Sequence, residues 1–246
     1  MNEIFAREAR LIGEDGVEWL SQKSAAVFGI GGVGSYAAEA LVRAGLGRLV
    51  FIDKDTVDPT NLNRQLVAEQ QTIAQAKAEI MAGRAHHVNP FCEAIPLTEY
   101  FKPGDHELLE SLHVDFVIDA IDDIPAKVAI ASECFRLGIP EASAMGAGNR
   151  LHPEMLQIAD ITETSVCPMA KKMRKELKKA GVPHLTVVYS EEPPIRPRGE
   201  GHAPGSISFV PPAAGMILAG IAVRHLLSQK EGAHGIPDQE SAVDHS

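Results

Sequence analysis

The sequence predicts an α/β fold: a mostly parallel sheet with helices on both faces, extended at its C-terminal end by a further strand and helix. Three observations lead there. Short apolar runs alternate with helix-length stretches from about residue 24 to residue 149, two of the runs lead into an aspartate, and the first feeds directly into a glycine-rich turn. Continuous apolar runs are the mark of strands buried on both faces. Their alternation with helices implies crossover connections, and hence parallel pairing.

Residues 1–23 read as an amphipathic helix. Residues 24–30 (SAAVFGI) form a buried strand, 33–44 a helix closing near Gly45 and Gly47, and 49–52 a second strand with Asp53 at its tip. Residues 73–85 are helical, 114–118 are a strand followed by Asp119, 126–137 are a helix stopped by Gly138, and 139–143 start the next strand. Beyond Asn149 the pattern weakens. Residues 169–180 are a strongly basic helix, 185–189 (LTVVY) a strand, and 191–204 a long loop rich in proline, glycine and charge, of a kind that compact domains keep for function. Residues 213–227 read as an apolar helix, and the polar tail from about 229 to 246 as disordered. One domain is expected over residues 1–228, with its core at about 24–149 and a C-terminal part at about 150–228.

Hydrophobic residues make up 45% of the 246, enough for one sizeable core. A formal net charge of -10 rules out general affinity for nucleic acid, so any RNA contact must use a local basic patch. Cys92, Cys134 and Cys167 are scattered, with no C-x-x-C pair. Reduced thiols in a cytoplasmic protein fit this usage, and no zinc is expected. The N-terminus lacks the apolar core of a signal peptide. The apolar run 213–223 is short for a bilayer and is followed by Arg224 and His225, so a buried helix, without stable membrane insertion, is expected.

The glycine turn is Gly29-Ile30-Gly31-Gly32-Val33-Gly34, a G-x-G-x-x-G motif between a strand and a helix. Such a Rossmann-like loop presents free N–H groups at a helix N-terminus to phosphate. Asp53, at the second strand tip, is placed to accept from ribose hydroxyls. The loop signals an adenosine-containing ligand and leaves NAD, FAD and ATP open. The residues that follow favour a triphosphate. Asp53-Lys54-Asp55 leads to Asn61-Leu62-Asn63-Arg64-Gln65 and then to Lys77. Cleavage between the α and β phosphates builds negative charge, which Arg64 and Lys77 are suited to stabilise. Asp119-Ala120-Ile121-Asp122 lies at the C-terminal edge of a later strand, where a carboxylate can hold magnesium on the phosphates.

Taken in order, GxGGVGS, the DxD strand tip, NxNRQ, the later lysine and DAxD resemble the E1-like superfamily of ATP-dependent adenylating enzymes, which includes ubiquitin-activating enzymes and bacterial activators of sulfur-carrier proteins. The resemblance implies catalytic roles at the phosphates for Arg64, Lys77 and Asp122, with Asp122 on magnesium. It places Asp53, Asp55, Asn61 and Gln65 at the nucleotide pocket, with Asn63 and Asp119 counted beside them in the same motifs. Arg10 matches, at a different helix spacing, an arginine that reaches the ATP of the partner subunit in a homodimer.

The second half, through DAIDD (119–123), VCPMAKK (166–172), VVYSEEP (187–193) and GSISFVP (205–211), is similar to one branch of that superfamily, the tRNA threonylcarbamoyladenosine dehydratases. With ARLIG (9–13) the resemblance runs to about residue 228. Cys167 stands where many relatives carry an acid, and no catalytic role is given to it. The branch implies that ATP adenylates the threonyl carboxylate of the modified adenosine at tRNA position 37. A carbamoyl nitrogen of the same substrate then closes a ring and expels AMP, with net loss of one water. An internal nucleophile makes a catalytic cysteine unnecessary. A structural sodium or potassium ion is left open, as is a cysteine desulfurase or sulfur-acceptor system as partner.

Lys171, Lys172, Arg174, Lys175, Lys178 and Lys179 crowd the basic helix, with Glu176 as the one acid among them. A charge run alone is commonly a solvated face. Against an acidic whole, and with the branch resemblance, it is read as the tRNA-binding patch. Three other readings stay open: activation of a sulfur-carrier or ubiquitin-like protein at its C-terminal carboxylate, NAD-dependent oxidoreduction, and a non-catalytic scaffold.

Overall fold

A computed structural model describes residues 3–198 and 204–231. Seven strands form one sheet: β1 (Ser24–Phe28), β2 (Arg48–Ile52), β3 (Glu93–Leu97), β4 (Phe116–Asp119), β5 (Glu141–Ala144), β6 (Leu156–Asp160) and β7 (Thr186–Ser190). Their order is β3-β2-β1-β4-β5-β7-β6. All neighbours are parallel except the edge pair β6 and β7. The chain therefore reverses direction across the sheet between β1 and β4, and the crevice above their C-terminal ends is where such sheets bind ligands.

Among the described residues eight α-helices accompany this sheet: α1 (Ala9–Ile12), α2 (Glu14–Ser21), α3 (Gly34–Arg43), α4 (Lys77–Val88), α5 (His106–Leu112), α6 (Ile124–Leu137), α7 (Pro168–Ala180) and α8 (Val210–Glu231). The central strands send alternate residues to two cores. Ala25, Val27, Leu49, Phe51, Phe116 and Ile118 face α3, α4 and α8. Ala26, Phe28, Val50, Ile52 and Val117 face α5 and α6. A third cluster joins Met173 and Leu177 of α7 to Val187 and Tyr189 of β7. The C-terminal part thus widens the same sheet with β6 and β7 and covers one face of it with α8.

Helix α8 packs along α3 and over β4 and β5. The approach to α3 is close: a Cβ on Gly215 would lie 2.2 Å from the Val33 carbonyl oxygen. At the far end, Trp19 Nε1 of α2 donates to the Leu226 carbonyl at 2.8 Å, and Lys230 pairs with Asp15. By length and composition α8 could cross a membrane, and half of its apolar window is buried inside the fold. It starts earlier than the apolar run predicts because Pro211 and Pro212 sit in its first turn, where a missing N–H costs nothing. It also runs on to Glu231, so residues 229–231 of the expected tail are helical, while 232–246 lie outside the described residues.

Other departures have local causes. The N-terminal segment is divided at Gly13 into α1 and α2, after a short 3-10 turn, Glu3–Phe5. Residues 73–76 are not helical: Ala74 has φ 67°, Thr56 bridges Ala76, and α4 begins at Lys77. Strands β3 and β6 and helix α5 carry no clear sequence signal. Both strands are sheet edges, half exposed, and β3 accommodates Pro96, which an interior strand would not. Of the predicted loop 191–204, residues 191–198 and Pro204 are described, and the remainder lies outside the described residues.

Candidate active site

Above the switch between β1 and β4 lies a pocket of about 760 Å³. One wall is the glycine turn. Gly29 has φ 86°, and a Cβ on Gly34 would sit 1.7 Å from the Gly29 carbonyl oxygen, so the turn closes on itself only with glycine there. A side chain on Gly32 would press on Pro211 and Arg64, the two groups that flank the turn. The N-terminus of α3 consequently faces the pocket, and its free N–H groups attract anions. Gly34→Ala is expected to lower stability by about 1–3 kcal/mol or more, read by urea melting, and to remove ATP binding. Wild-type melting with ATP binding retained would mean that the turn does not close in this way.

Asp53 locks the turn to β2. Its two carboxylate oxygens accept from the backbone N–H groups of Ile30 at 2.6 Å and Asp55 at 2.8 Å. Burial pushes its pKa up, against the pull of these amides and of Lys77. Asp53 lines the pocket, yet much of its hydrogen-bonding capacity holds the loop rather than waiting for a ribose. Lys77 is 6% exposed, opens α4, and lies 3.6 Å from Asp55. A cation at a helix N-terminus opposes the helix dipole, an arrangement that an anionic ligand would relieve. Burial alone would raise the Asp55 pKa, but Lys54 and Lys77 hold it below the ordinary value.

Arg64 lines the pocket beside the glycine turn. Its Nη1 donates to the Thr60 carbonyl at 2.9 Å and to Asn63 Oδ1 at 2.8 Å, and no carboxylate pairs with it among the described residues. Gln65 lines the same wall with its Oε1 buried and unpartnered. A buried acceptor without a donor is rare in a finished core and fits a site completed by a ligand. Asp122 is exposed at the pocket edge. The N-cap of α6 is its neighbour Asp123, which accepts from Ala126 N at 3.0 Å and from the Tyr100 hydroxyl at 2.7 Å, so Asp122 is left facing the cavity.

The structure does not bring every predicted residue to the pocket wall. Asn61 is buried and accepts from Asp58 N–H at 3.1 Å within a capping box. Asn63 donates to the Ser206 carbonyl at 3.0 Å, tying Arg64 to the segment before α8. Asp119 is fully buried: it pairs with Lys127 at 2.8 Å, both 0% exposed, and accepts from Ser143 Oγ at 2.7 Å. It therefore stabilises the strand end and is not open to ATP. Arg10 is exposed on α1 and is not among the residues lining this pocket. On α7, Arg174 turns inward and donates to Thr164 O at 2.6 Å and Thr164 Oγ1 at 3.1 Å, a structural task rather than an RNA contact. Lys179 pairs with Glu176 at 2.8 Å. Lys171, Lys172, Lys175 and Lys178 are exposed.

Sequence reasoning missed the far half of the pocket. It is built by 144–150, the start of α7 with buried Cys167 beside it, and Pro194, Pro204, Gly205 and Ser206. The chain turns there at Asn149, at φ 59°. That residue exchanges backbone hydrogen bonds with Gly205 and Ile195, and its side chain accepts from Gly205 N at 2.6 Å. A non-glycine residue held in the left-handed region, at a cost of the order of 1 kcal/mol, marks a position whose geometry matters.

A closed glycine turn at a helix N-terminus, flanked by a buried lysine and an acid-free arginine, defines a nucleotide-binding α/β protein. The chain belongs to the ThiF family, whose model matches residues 5–238. It is 41% identical over 243 residues to a tRNA threonylcarbamoyladenosine dehydratase of Bacillus subtilis, covering 92% of this chain and 96% of that one. It is similar to the solved Escherichia coli tRNA N6-threonylcarbamoyladenosine dehydratase in complex with ATP, with a TM-score of 0.87 and 33% identity over 95% of this chain and 97% of the other. The molybdopterin-synthase adenylyltransferase of Escherichia coli is 30% identical over 141 residues, covering 57% of this chain and 55% of that protein.

Proposed function

We propose that this chain is an ATP-dependent tRNA threonylcarbamoyladenosine dehydratase. The observation that carries the reading is one pocket lined on one side by the glycine turn, Arg64 and Lys77 and extended on the other by residues 144–150 and 204–206, in a chain similar over nearly its whole length to proteins of that name. ATP lies with its phosphates on the glycine turn. Arg64 and Lys77 bear on the α and β phosphates, and Asp55 and Gln65 line the nucleoside end. The substrate carboxylate attacks the α-phosphorus, forming the acyl-adenylate and releasing pyrophosphate. A nitrogen of the substrate's own carbamoyl group then attacks the acyl carbon, loses its proton and expels AMP. The enzyme's part is alignment and charge stabilisation.

Among the described residues no three His, Cys, Asp or Glu side chains cluster to hold a metal on their own. Asp122, exposed at the pocket edge, would hold a magnesium ion there, and the ion would supply charge neutralisation on the leaving group. Arg10, exposed on α1, suits a contact with the ATP of a second subunit, and we read the chain as a cytoplasmic homodimer.

The test is direct. With ATP, magnesium and tRNA carrying the linear modification, the protein should release AMP and pyrophosphate, and the nucleoside should lose the mass of one water. ATP turnover only with a small carrier protein would sink the reading in favour of the adenylyltransferase alternative.

Helix α7 starts at the pocket with Pro168 and Met169, and its exposed lysines lead away from it. These lysines suit the phosphates of the tRNA stem. Replacing Lys171, Lys172 and Lys175 together by glutamine should weaken tRNA binding and flatten its dependence of log K on log salt by about 0.9 per lost contact. Fluorescence anisotropy across a salt series measures this; an unchanged slope removes α7 from the docking surface.

A further inference from the structure

The far half of the pocket contains a cation that no role above uses. Arg150 is 4% exposed, lines the cavity, and follows the pinned residue Asn149. Its Nε is buried without a partner, and its Nη1 reaches the Asn149 carbonyl at 3.3 Å. No carboxylate pairs with it among the described residues. A nearby acid, Glu192, is already engaged: its carboxylate accepts from the N–H groups of Leu151 and His152 at 2.9 Å each. A guanidinium taken out of water with no anion beside it is costly, and it persists where a ligand supplies the anion. The backbone around it is held for the purpose. Asn149 is anchored to Ile195 and Gly205, and a Cβ on the neighbouring Gly148 would come within 2.9 Å of Pro204.

We infer that Arg150 binds the carboxylate of the acceptor, holding one oxygen while the other faces the α-phosphorus. The inference rests on the dehydratase reading and deepens it by naming the group that distinguishes modified from unmodified adenosine. A planar guanidinium can fix the carboxylate plane, which sets the attack direction. The contact also suits the chemistry in time. Once the carboxylate becomes an acyl-adenylate its charge is gone, and Arg150 no longer holds the carbonyl against ring closure.

The test compares the unaltered full-length chain with Arg150→Gln and Arg150→Lys. Binding of tRNA with and without the linear modification is measured by anisotropy without ATP, and ATP affinity is titrated separately. The unaltered chain should prefer the modified tRNA. Arg150→Gln should lose that preference by about 10–100-fold, with ATP affinity and melting temperature unchanged, and Arg150→Lys should keep part of it. Retention of the full preference by Arg150→Gln overturns the inference. So does a loss of ATP affinity with the preference intact, which would assign the guanidinium to a phosphate. If Arg150→Gln melts early, the Lys variant decides, since loss of charge geometry and loss of fold then separate. Turnover by the unaltered chain is scored in parallel. Its absence overturns the dehydratase reading, whereas turnover with equal binding of both tRNAs overturns the role of Arg150 alone.

Discussion

Arg64→Ala is expected to reduce AMP release by at least about 10²–10³-fold, the loss that follows removal of a preorganised group facing transition-state charge. The side chain is well placed for a clean experiment. It is held by hydrogen bonds to Thr60 O and Asn63 Oδ1, it neutralises no acid in the free protein, and its removal leaves no buried charge behind. Melting should therefore be unchanged within about 0.5 kcal/mol. ATP binding should weaken less than turnover falls, because the charge that Arg64 meets is greatest as pyrophosphate departs. Asn63→Ala should give a milder version of the same defect, since it frees both the guanidinium and the Ser206 segment. Turnover by Arg64→Ala at the wild-type rate would refute the assigned role and would move the search for the phosphate cation to Lys77.

Lys127→Met is expected to destabilise the fold by about 3–5 kcal/mol, because it leaves Asp119 buried and unpaired. The ammonium sits 2.8 Å from Asp119, both groups 0% exposed, and it also donates to the Ile121 carbonyl at 3.2 Å. Glu141 lies near the same pair: burial and the nearby Asp119 push its carboxyl well above the ordinary range, with Lys127 opposing. A shift of this size should lower the melting temperature by on the order of 10 °C for a domain of this length. Adding Asp119→Asn to Lys127→Met should recover part of the loss, since it removes the stranded charge. Calorimetry on the two variants measures both effects, and equal melting of Lys127→Met and the unaltered chain would show that the pair contributes nothing. Ile121 immediately precedes Asp122, so the single variant should also bind ATP less well.

Much of the fold was legible because its signals are local. The run SAAVFGI, the glycines after it and the aspartate at the tip of β2 each describe their own surroundings, and β1, β2, β4, β5 and β7 were found through such runs. The edge strands were missed for a physical reason. β3 contains Glu93 and Pro96 and β6 exposes Gln157 and Ile158, so neither is a continuous apolar run. In the candidate site, Arg64, Lys77, Gln65 and Asp122, singled out by their order along the chain, line one pocket. Asp119 and Arg174 were misread because a charged residue in a motif or a basic run looks available until its partners are seen, and those partners, Lys127 and Thr164, lie eight and ten residues away in sequence. Arg150 had no local signal at all. Its burial comes from segments near residues 149, 195 and 205 meeting in space, which no periodicity records.

Helix α8 gives the molecule a built-in optical probe. Its first turn lies against Gly32 of the phosphate turn, and its last turns hold the indole of Trp19, the one tryptophan in the chain, with Lys23 4.2 Å above the ring. Tryptophan emission from the unlabelled protein therefore originates from a single place, the docking of α2 on α8, at the end of a rod whose other end touches the nucleotide turn. A change in that emission when ATP is added would report an altered environment at the docking of α2 on α8, and it can be followed in stopped flow without attaching a dye.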